Sequence, residues 1–295
     1  MLIKDIFNQK KPVISFEIFP PKKYSNIDVI YSTLEALKDL RPDFISVTYG
    51  AAGSTRDKTV EIASIIKNKY DIEALAHLTC IGLDQEGLDK IIGELIKNNV
   101  RNVMALRGDL PEGMDKKELD SSSFAHASDI IASIKKHEDF STGGACYPEV
   151  HPECESLDKD IENLKLKVDS GADFLVTQLF FDNDKFYNFM DKARKAGINV
   201  PISAGIMPVT NKKQVERMIS LSNATLPSKF RRILDKYEND GEALKEAGIV
   251  YATEQIIDLL SWGIDGIHLY TMNRPETCRK IINNITSIRE SLERK

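Results

Sequence analysis

Residues 13–21 read Val-Ile-Ser-Phe-Glu-Ile-Phe-Pro-Pro, an apolar strand that carries one carboxylate and ends at two prolines. Successive side chains of a strand point to opposite faces, so Ser15 and Glu17 share one face and the apolar residues between them share the other. Burial of a carboxylate is unfavourable without partners, and desolvation raises its pKa toward the range of a general acid. The alternative for Glu17 is a structural ion pair, which also perturbs pKa values.

Seven further strand-like segments follow along the 295 residues, and amphipathic helical patterns alternate with them. Eight strands that alternate with helices predict a closed parallel (β/α)8 TIM barrel. The predicted strands cover residues 13–19, 43–49, 73–79, 101–106, 144–147, 173–180, 201–206 and 266–270. The predicted helices cover residues 26–40, 57–69, 84–98, 126–138, 156–170, 182–196, 211–221, 240–262 and 275–293.

The stretch of about sixty residues before the last strand is too long for one crossover, so we expect extra helices there. No linker or low-complexity segment divides residues 1–295, which we therefore expect to form a single domain. The competing architecture is a doubly wound open sheet, which usually carries a glycine fingerprint after its first strand; residues 19–22, Phe-Pro-Pro-Lys, lack one. Asp84 and Asn211 are predicted N-caps, and Gly171 and Gly197 are predicted helix stops.

Composition excludes several classes of protein. The formal net charge is −5, so the chain as a whole has no basic footprint for nucleic acid. Charged residues interrupt every apolar run, and the first residues lack the apolar core of a signal peptide, so we expect a cytoplasmic protein. Cys146, His151 and Cys154 lie close in sequence, but a zinc site needs a fourth ligand and a recognisable spacing, so we predict no metal.

The predicted strand ends are unusually polar, and in such barrels the chemistry lies at the carboxyl ends of the strands. The alternative explanation is that any strand that ends in solvent ends in polar residues, and it accounts for one or two of these strand ends. It accounts less well for the opposite charges Arg107 and Asp109 beside Gly108, or for Gln178 before three apolar residues. Residues 50–55 either receive a phosphate or form a turn that caps the next helix, and we favour the turn. The pattern predicts an active site at this end.

Seven segments, in this order, resemble the methylenetetrahydrofolate reductase family. They extend from near residue 13 to near residue 285, and the chain resembles the bacterial form that lacks the regulatory domain of the eukaryotic enzymes. The matching segments are Ser15–Pro21, Ser46–Gly50, His77–Cys80, Ala105–Asp109, Tyr147–Pro152, Thr177–Asp182 and Tyr270–Arg274.

The resemblance implies a barrel that holds FAD non-covalently. NADH or NADPH reduces the flavin and leaves, and 5,10-methylenetetrahydrofolate then takes its place and is reduced to 5-methyltetrahydrofolate. The product supplies methyl groups for methionine synthesis. The implied partners are these small molecules, with no nucleic acid or membrane. Bacterial members are often homo-oligomers, so we expect a homo-oligomer here.

The resemblance also assigns roles to individual residues. Glu17 is the general acid that protonates folate N10 and so opens the ring to a 5-iminium cation. Asp109 stabilises that cation and lowers the flavin potential. Gln178 binds the pterin, and Arg274 binds the glutamate carboxylate of the folate. The residues assigned to FAD are Thr48, His77, Arg107, Gly108, Asp109, Ala127, Tyr147, His151, Asp160 and Lys167.

Three positions on helices qualify these assignments. Lys167 points away from the apolar stripe of residues 157–168 and is free to reach a phosphate; the alternative is a solvent-facing lysine. Many family members have a basic residue at the position of Leu166. Met218 stands where the family has a phenylalanine that stacks in the nicotinamide and folate site, although methionine also packs on aromatic faces.

Two other functions are compatible with the residues alone. The first is a metal-assisted hydrolase that uses Glu17, His77 and Asp109, although the histidines form neither an HxH nor an HExxH pair. The second is a folate- or nucleotide-binding protein that has lost turnover, against which the intact Glu17 argues.

Overall fold

The computed structural model describes residues 1–21, 27–49, 56–108, 123–137 and 139–294, without the side chains of residues 56 and 57. Eight parallel strands pair in chain order, and the last pairs with the first, so the sheet closes into a barrel. This closure confirms the predicted (β/α)8 fold. The strands are β1 Val13–Ile18, β2 Phe44–Val47, β3 Glu73–Thr79, β4 Asn102–Leu106, β5 Ser141–Cys146, β6 Phe174–Thr177, β7 Ile202–Ile206 and β8 Gly266–Tyr270.

Helices surround the barrel, and three of them lie between β7 and β8, which confirms the extra helices expected there. No helix in the described ranges is long and apolar enough to cross a membrane. The helices are α1 Ile3–Gln9, α2 Asp28–Lys38, α3 Arg56–Tyr70, α4 Gln85–Lys97, α5 Ala127–Ile134, α6 Leu157–Asp169, α7 Asn183–Lys195, α8 Lys212–Ser222, α9 Ser228–Tyr237, α10 Gly241–Trp262 and α11 Pro275–Glu293.

The two faces of β1 have different surroundings, as the alternation in the sequence predicts. Ile14, Phe16 and Ile18 are fully buried in the apolar layer between the barrel and its helices. Ser15 and Glu17 point into the barrel, because Glu17 contacts a residue of β3, a strand that does not pair with β1. The polar face of residues 13–18 therefore lines the interior of the barrel.

The amino-terminal end of the barrel is closed by α1, which is not among the predicted helices. The backbone N–H of Ile3 donates to Oδ1 of Asn102, the first residue of β4, at 2.8 Å. The ring of Phe7 lies 5.5 Å from the ring of Phe174, the first residue of β6. The apolar residues packed together at this end include Ile3, Ile6, Val13, Phe44, Leu75, Met104 and Phe174.

The extra helices form a second apolar cluster with the segments that follow β6 and β7. On α10, the hydroxyl of Tyr251 donates to the carbonyl of Phe181 (2.7 Å), and the amide of Gln255 donates to the carbonyl of Phe180 (3.0 Å). Gly248 permits this approach, because a Cβ there would clash with the Val209 carbonyl. The extra helices therefore hold two of the segments at the carboxyl end of the barrel.

Two strand boundaries differ from the prediction by three residues, and the others agree within two. β6 ends at Thr177 instead of residue 180, since Gln178 turns its side-chain Oε1 back to the N–H of Leu179 (2.9 Å) and the following residues pack against the extra helices. β5 begins at Ser141, three residues before the predicted start. Its glycines are poor strand formers in general, but a Cβ on Gly143 would lie 2.7 Å from the Phe174 ring, so the small residue suits this strand.

The predicted N-caps and glycine stops are confirmed. The side chain of Asp84 accepts a hydrogen bond from the N–H of Gly87, and that of Asn211 accepts one from the N–H of Gln214. Gly171 and Gly197 follow α6 and α7 with φ of +115° and +78°, a conformation that favours glycine. Local capping chemistry in the sequence therefore locates these helix ends correctly.

Candidate active site

Glu17 lies inside the barrel near the carboxyl end of β1, with 6% of its surface exposed. In the sheet it is in register with Ser46 of β2 and Tyr270 of β8. His268 of β8 and His77 of β3 direct their rings toward the same carboxyl group. A buried carboxyl with two histidines and a serine around it is therefore the centre of this end of the barrel.

All described polar contacts of the Glu17 carboxyl are to one oxygen, Oε2. The hydroxyl of Ser46 donates to Oε2 at 3.4 Å, and the Nε2 atoms of His268 and His77 lie 3.4 Å and 3.5 Å from it. The His268 ring is fixed from behind by Ser15, whose Oγ lies 2.7 Å from Nδ1. These contacts supply the partners that a buried carboxyl requires.

The surroundings hold the pKa of Glu17 below its ordinary value. Burial raises this pKa, but the hydrogen bond from His268, the charges that His77 and His268 carry when protonated, and the hydroxyl of Ser46 together outweigh burial. The raising effect of desolvation is therefore outweighed in this arrangement, because the partners favour the carboxylate. Burial lowers the pKa of His77 to about 4, despite the attraction of Glu17 and with a small further decrease from His268, so this ring is neutral near pH 7.

The ends of β6, β7 and β8 are bonded to one another beside this carboxyl. The hydroxyl of Tyr270 donates to the Thr177 carbonyl (2.7 Å), and the N–H of Gly205 donates to Thr177 Oγ1 (2.8 Å). A Cβ on Gly205 would clash with both the Thr177 carbonyl and the Tyr270 hydroxyl. Burial raises the pKa of Tyr270 well above its ordinary value, so its hydroxyl remains a hydrogen-bond donor.

A second polar cluster lies where the chain leaves β4 and β5. Arg107 forms a bidentate ion pair with Glu153, in which Nη1 lies 2.8 Å from Oε2. The backbone N–H of His151 donates to Asp160 of α6 (2.8 Å), and the rings of Tyr147 and His151 meet edge to face at 4.7 Å. The loop after β5 is thereby tied both to α6 and to the residue after β4.

Lys167 of α6 extends into this second cluster, so the alternative of a solvent-facing lysine is wrong. Its Nζ donates to the carbonyl of Ala145 (2.5 Å), and its stem crosses Gly144, where a Cβ would lie 2.7 Å from Lys167 Cδ. Burial lowers the pKa of Lys167. Within the described residues its hydrogen-bond acceptor is a neutral carbonyl. Burial lowers the pKa of His151, and the nearby charge of Arg107 lowers it further. Such donors suit an anion such as a diphosphate.

Among the residues that the structure describes, no group of three or more His, Cys, Asp and Glu side chains is arranged to hold a metal ion. Cys146 is buried in β5, where burial raises the pKa of its thiol above the ordinary range, and Cys154 donates to the carbonyl of Ser156. The three residues that lie close in sequence therefore have separate roles in packing and in the loop after β5.

Comparison with known proteins decides the family. The family model for methylenetetrahydrofolate reductase matches residues 2–286. The chain belongs to this family. It is 38% identical to the 5,10-methylenetetrahydrofolate reductase of Escherichia coli K12 over 272 residues, which cover 92% of this chain and 90% of that protein. It is 39% identical to methylenetetrahydrofolate reductase (NADH) 1 of Arabidopsis thaliana over 98% of this chain, but spans only 51% of that protein.

Solved structures share the fold at much lower identity. One is an uncharacterized protein from Clostridium thermocellum that binds two copies of 5-methyl-5,6,7,8-tetrahydrofolic acid, with a TM-score of 0.65, 16% identity and coverage of 98% of this chain and 99% of that one. Another is in a tryptophan synthase complex from Pyrococcus furiosus, with a TM-score of 0.55, 10% identity and coverage of 95% and 99%. At these identities the likeness supports the barrel alone.

The residues that the reductase resemblance assigns to FAD fall mostly into the two clusters. The structure groups five of them in the second cluster, and it places His77 beside Glu17. The five are Arg107, Tyr147, His151, Asp160 and Lys167. Asp109 lies outside the described residues, as does the predicted turn of residues 50–55.

The other FAD assignments lie at the same end of the barrel, and the carbonyl of Gly108 accepts a hydrogen bond from Nε of Arg107 (3.4 Å). Thr48 follows β2, and its N–H donates to the Ile18 carbonyl at 3.1 Å. Gly108 follows β4 with φ of +90°, and a Cβ there would lie 3.0 Å from that of Thr79, so glycine is required. Ala127 is the buried first residue of α5.

The residues assigned to the reductase substrate lie around β6 to β8. Gln178 is half-buried directly after β6. Met218 of α8 packs in the second apolar cluster, to which Tyr270 and Met272 also belong. Arg274, at the start of α11, donates to the hydroxyl of Thr210. The structure describes no hydrogen bond between these residues and Glu17.

Sequence reasoning assigned no role to two residues that the geometry makes prominent. His268 contacts Glu17, and its position is in register with Ser15. Pairing of the predicted strands β8 and β1 identifies His268, because this residue then lies beside Ser15 on the inward face. Glu153 pairs with Arg107, and no sequence pattern signals this contact because loop conformation creates it.

Proposed function

We propose that this protein reduces 5,10-methylenetetrahydrofolate to 5-methyltetrahydrofolate, with NADH or NADPH as reductant and bound FAD as the intermediate carrier. The observation that carries the proposal is the match to the Escherichia coli reductase over 90% of that protein's length. The site supports it, because a buried carboxyl and a second cluster that contains Arg107 and Lys167 lie at the end of the barrel where such enzymes work. NADH is named in the Arabidopsis relative and does not by itself decide the reductant of this chain.

The second cluster fits the diphosphate of FAD. Lys167 and Arg107 provide charged donors, and Gly144 leaves room for the Lys167 stem to reach this cluster. When bound, FAD accepts a hydride from the nicotinamide and passes it to the folate. In the proposal, the remaining contacts to FAD come from Thr48, His77, Gly108, Asp109, Ala127, Tyr147, His151 and Asp160.

Glu17 is the proton donor of the proposed reaction. Opening of the folate imidazolidine ring requires a proton at N10, and Glu17 is a carboxyl in the interior that neighbours the proposed flavin site. Its lowered pKa means that it must gain a proton before each folate reduction. A ligand that covers the carboxyl removes residual water and increases the effect of burial, which shifts this pKa upward.

The remaining substrate contacts follow from position. Gln178 offers its amide nitrogen to the pterin, since its Oε1 already accepts from the N–H of Leu179. Arg274 is exposed and meets the folate glutamate carboxylate. Met218 offers its thioether to the aromatic rings that enter the site. Asp109 supplies a negative charge for the iminium cation.

The proposal extends to the setting of the enzyme. We place it in the cytoplasm, where thiols stay reduced, and the four cysteines are free thiols in the fold. We treat residues 1–295 as one catalytic domain, because the barrel strands run from residue 13 to residue 270. A homo-oligomer and a supply of methyl groups for methionine synthesis belong to the same proposal.

Anaerobic stopped-flow spectroscopy of the purified protein tests the proposal. We expect a yellow protein whose flavin absorbance is bleached by NADH or NADPH and restored by 5,10-methylenetetrahydrofolate, with 5-methyltetrahydrofolate as product. Separate mixing with each nicotinamide identifies the reductant. A protein that neither carries FAD nor can be reconstituted with it would contradict the proposal.

A further inference from the structure

We propose that His268, held by Ser15, is a positioning residue that keeps Oε2 of Glu17 free of a proton, so that Oε1 carries the acid proton to the substrate. This inference rests on the proposed function, in which Glu17 is the general acid. It adds a residue for which the sequence suggested no role, and it states which of the two carboxyl oxygens reacts.

The two oxygens of Glu17 have different surroundings. The described polar contacts of this side chain, from Ser46, His268 and His77, all involve Oε2. No hydrogen bond to Oε1 occurs within the described part of the chain. Three potential donors around one oxygen favour its proton-free form, since a proton there would face the hydrogens of the donors. A proton on this carboxyl therefore resides on Oε1.

Ser46 indicates where the ring hydrogen of His268 lies. A serine hydroxyl has one hydrogen, and that of Ser46 is directed to Glu17 Oε2. Its oxygen also lies 3.4 Å from Nε2 of His268, and in that contact it has only an acceptor to offer. Both neighbours of Nε2 are then acceptors, so Nε2 carries a hydrogen that they share. These contacts are long, and hydrogen bonds at active sites often tighten when the substrate binds.

Ser15 allows His268 to keep that Nε2 hydrogen in either charge state. Its Oγ lies 2.7 Å from Nδ1 of the ring and 3.3 Å from the carbonyl of Ile267. The hydroxyl donates to a bare Nδ1, or it accepts from a protonated Nδ1 and donates to the carbonyl instead. Ser15 is fully buried, so its hydroxyl is the partner at hand for Nδ1.

Other groups hold the ring without competing for its Nε2. Phe44 of β2 stacks on it at 6.0 Å, and the ring of Tyr270 meets it edge to face at 5.5 Å. The Tyr270 hydroxyl is directed to the Thr177 carbonyl and stays protonated because burial raises its pKa. His77 approaches Glu17 Oε2 from β3 and is neutral near pH 7 because burial lowers its pKa to about 4. The ring of His268 is therefore confined to one orientation.

Two amide substitutions separate the two nitrogens of the ring. In His268→Gln the amide nitrogen reaches about as far as Nε2 and still donates to Glu17. In His268→Asn the amide reaches only about as far as Nδ1 and meets Ser15. We expect His268→Asn to slow folate reduction roughly 10- to 100-fold, as loss of a hydrogen bond to a charged group does. His268→Gln should retain most of that rate, and both variants should keep the rate at which nicotinamide reduces the flavin.

Single-turnover kinetics over a range of pH supply the measurement. The effect of His268→Asn should fall on the rate constant for folate reduction and on its pH profile, with little change in folate affinity. Equal losses in the two variants, or no loss in either, would overturn the proposal.

A pair of serine variants provides a control for buried hydroxyls. Ser15→Ala removes the partner of Nδ1, and we expect it to shift the pH profile of folate reduction. Ser203→Ala removes an equally buried hydroxyl of β7 that has no hydrogen-bond partner among the described residues, and it should leave the profile unchanged. Identical profiles for these two variants would argue against the role of Ser15.

Nitrogen-15 NMR of the histidine rings gives a readout that needs no turnover. The chain has only five histidines, so selective labelling yields few signals, and the one missing from His268→Gln identifies His268. We expect a hydrogen on its Nε2 across the neutral pH range, and a bare Nε2 would overturn the proposal. If the wild-type protein fails to reduce methylenetetrahydrofolate at all, the proposed function is wrong, and the spectrum still decides where the ring hydrogen lies.

Discussion

The two ends of the barrel interior are built on opposite principles. The amino-terminal end is filled by apolar side chains such as Phe44, Met104 and Phe174 and closed by α1. The carboxyl end holds Glu17 and His77 among hydrogen-bonding side chains. One end maximises packing, while the other retains polar groups that have to be satisfied individually. Stability and chemistry therefore depend on separate layers of one interior. Substitutions at the carboxyl end should change the rate of folate reduction, and those at the amino-terminal end should change the free energy of unfolding.

The largest expected effect is on the chemistry of the carboxyl end. Glu17→Gln should slow folate reduction by roughly 100- to 10,000-fold, the usual contribution of a general acid, and leave flavin reduction by nicotinamide unchanged. Rapid-mixing kinetics of the two half-reactions measure this. Glu73→Gln is the matched control, because Glu73 is a mostly buried carboxylate at the opposite end, paired with Lys67 at 2.7 Å. A comparable loss in both variants would remove the distinction between the ends.

The next effect is on stability at the amino-terminal end. Phe174 is fully buried, and its ring lies 5.5 Å from that of Phe7 and 6.2 Å from that of Phe44. We expect Phe174→Ala to lower the free energy of unfolding by about 3–5 kcal/mol, through lost burial and the cavity left behind. Urea denaturation measures this, and the folded fraction should keep its rate of folate reduction. A stable but inactive variant would show that the lower layer contributes to the chemistry.

A smaller effect concerns pH and His77. The folded pKa of His77 is about 4, below its ordinary 6.5, so its contribution to stability is complete above pH 6.5 and is lost as the pH falls toward 4. The contribution of Glu17 to stability is complete above its ordinary pKa of 4.5 and is lost only below it, because the folded pKa is lowered. Between pH 7 and pH 5 the protein should therefore lose about 2 kcal/mol through His77. Unfolding of His77→Gln over the same range should show a shallower dependence, and an equal slope would mean that His77 is not buried in its neutral form.

The smallest effect is expected for the exposed ion pair at the rim. Glu153 is more than one-third exposed, so Glu153→Gln should change the free energy of unfolding by less than about 1 kcal/mol. The same substitution frees Arg107 for an anion, so FAD affinity measured by fluorescence should stay the same or rise. A large loss of stability would show that the loop after β5 depends on this pair.

The sequence was a reliable guide wherever a local rule applied. Alternation in residues 13–18 placed Ser15 and Glu17 inside the barrel, and capping chemistry located the helix ends at Asp84 and Gly171. Gly143 of β5 misled because its role is to admit the Phe174 ring, a contact that no local pattern shows. Local rules therefore fail where a residue is chosen for a distant neighbour.

The electrostatics of the site were the least predictable part. Burial of Glu17 was correctly expected, but its pKa moves in the opposite direction, because His268 lies 251 residues away in sequence and reaches Oε2 only once the barrel is closed. The position of Lys167 likewise depended on the space above Gly144. The pKa of Glu17 and the position of Lys167 depend on residues that are close only in the folded chain. A single sequence identifies such partners only when its strands are paired in the correct register.

The attachment of α1 also has a consequence for the order of folding. This helix is made before all eight strands, yet the N–H of Ile3 bonds to a residue 99 positions later, and the N–H of Lys4 bonds to Ser141, 137 positions later. Its contact with Gly266 waits for the last strand to be made. During synthesis the apolar side chains of α1 therefore lack part of their packing until nearly the whole chain has emerged. Contacts of such long range slow folding, and the ribosome-bound chain should be most prone to aggregation just before β8 appears.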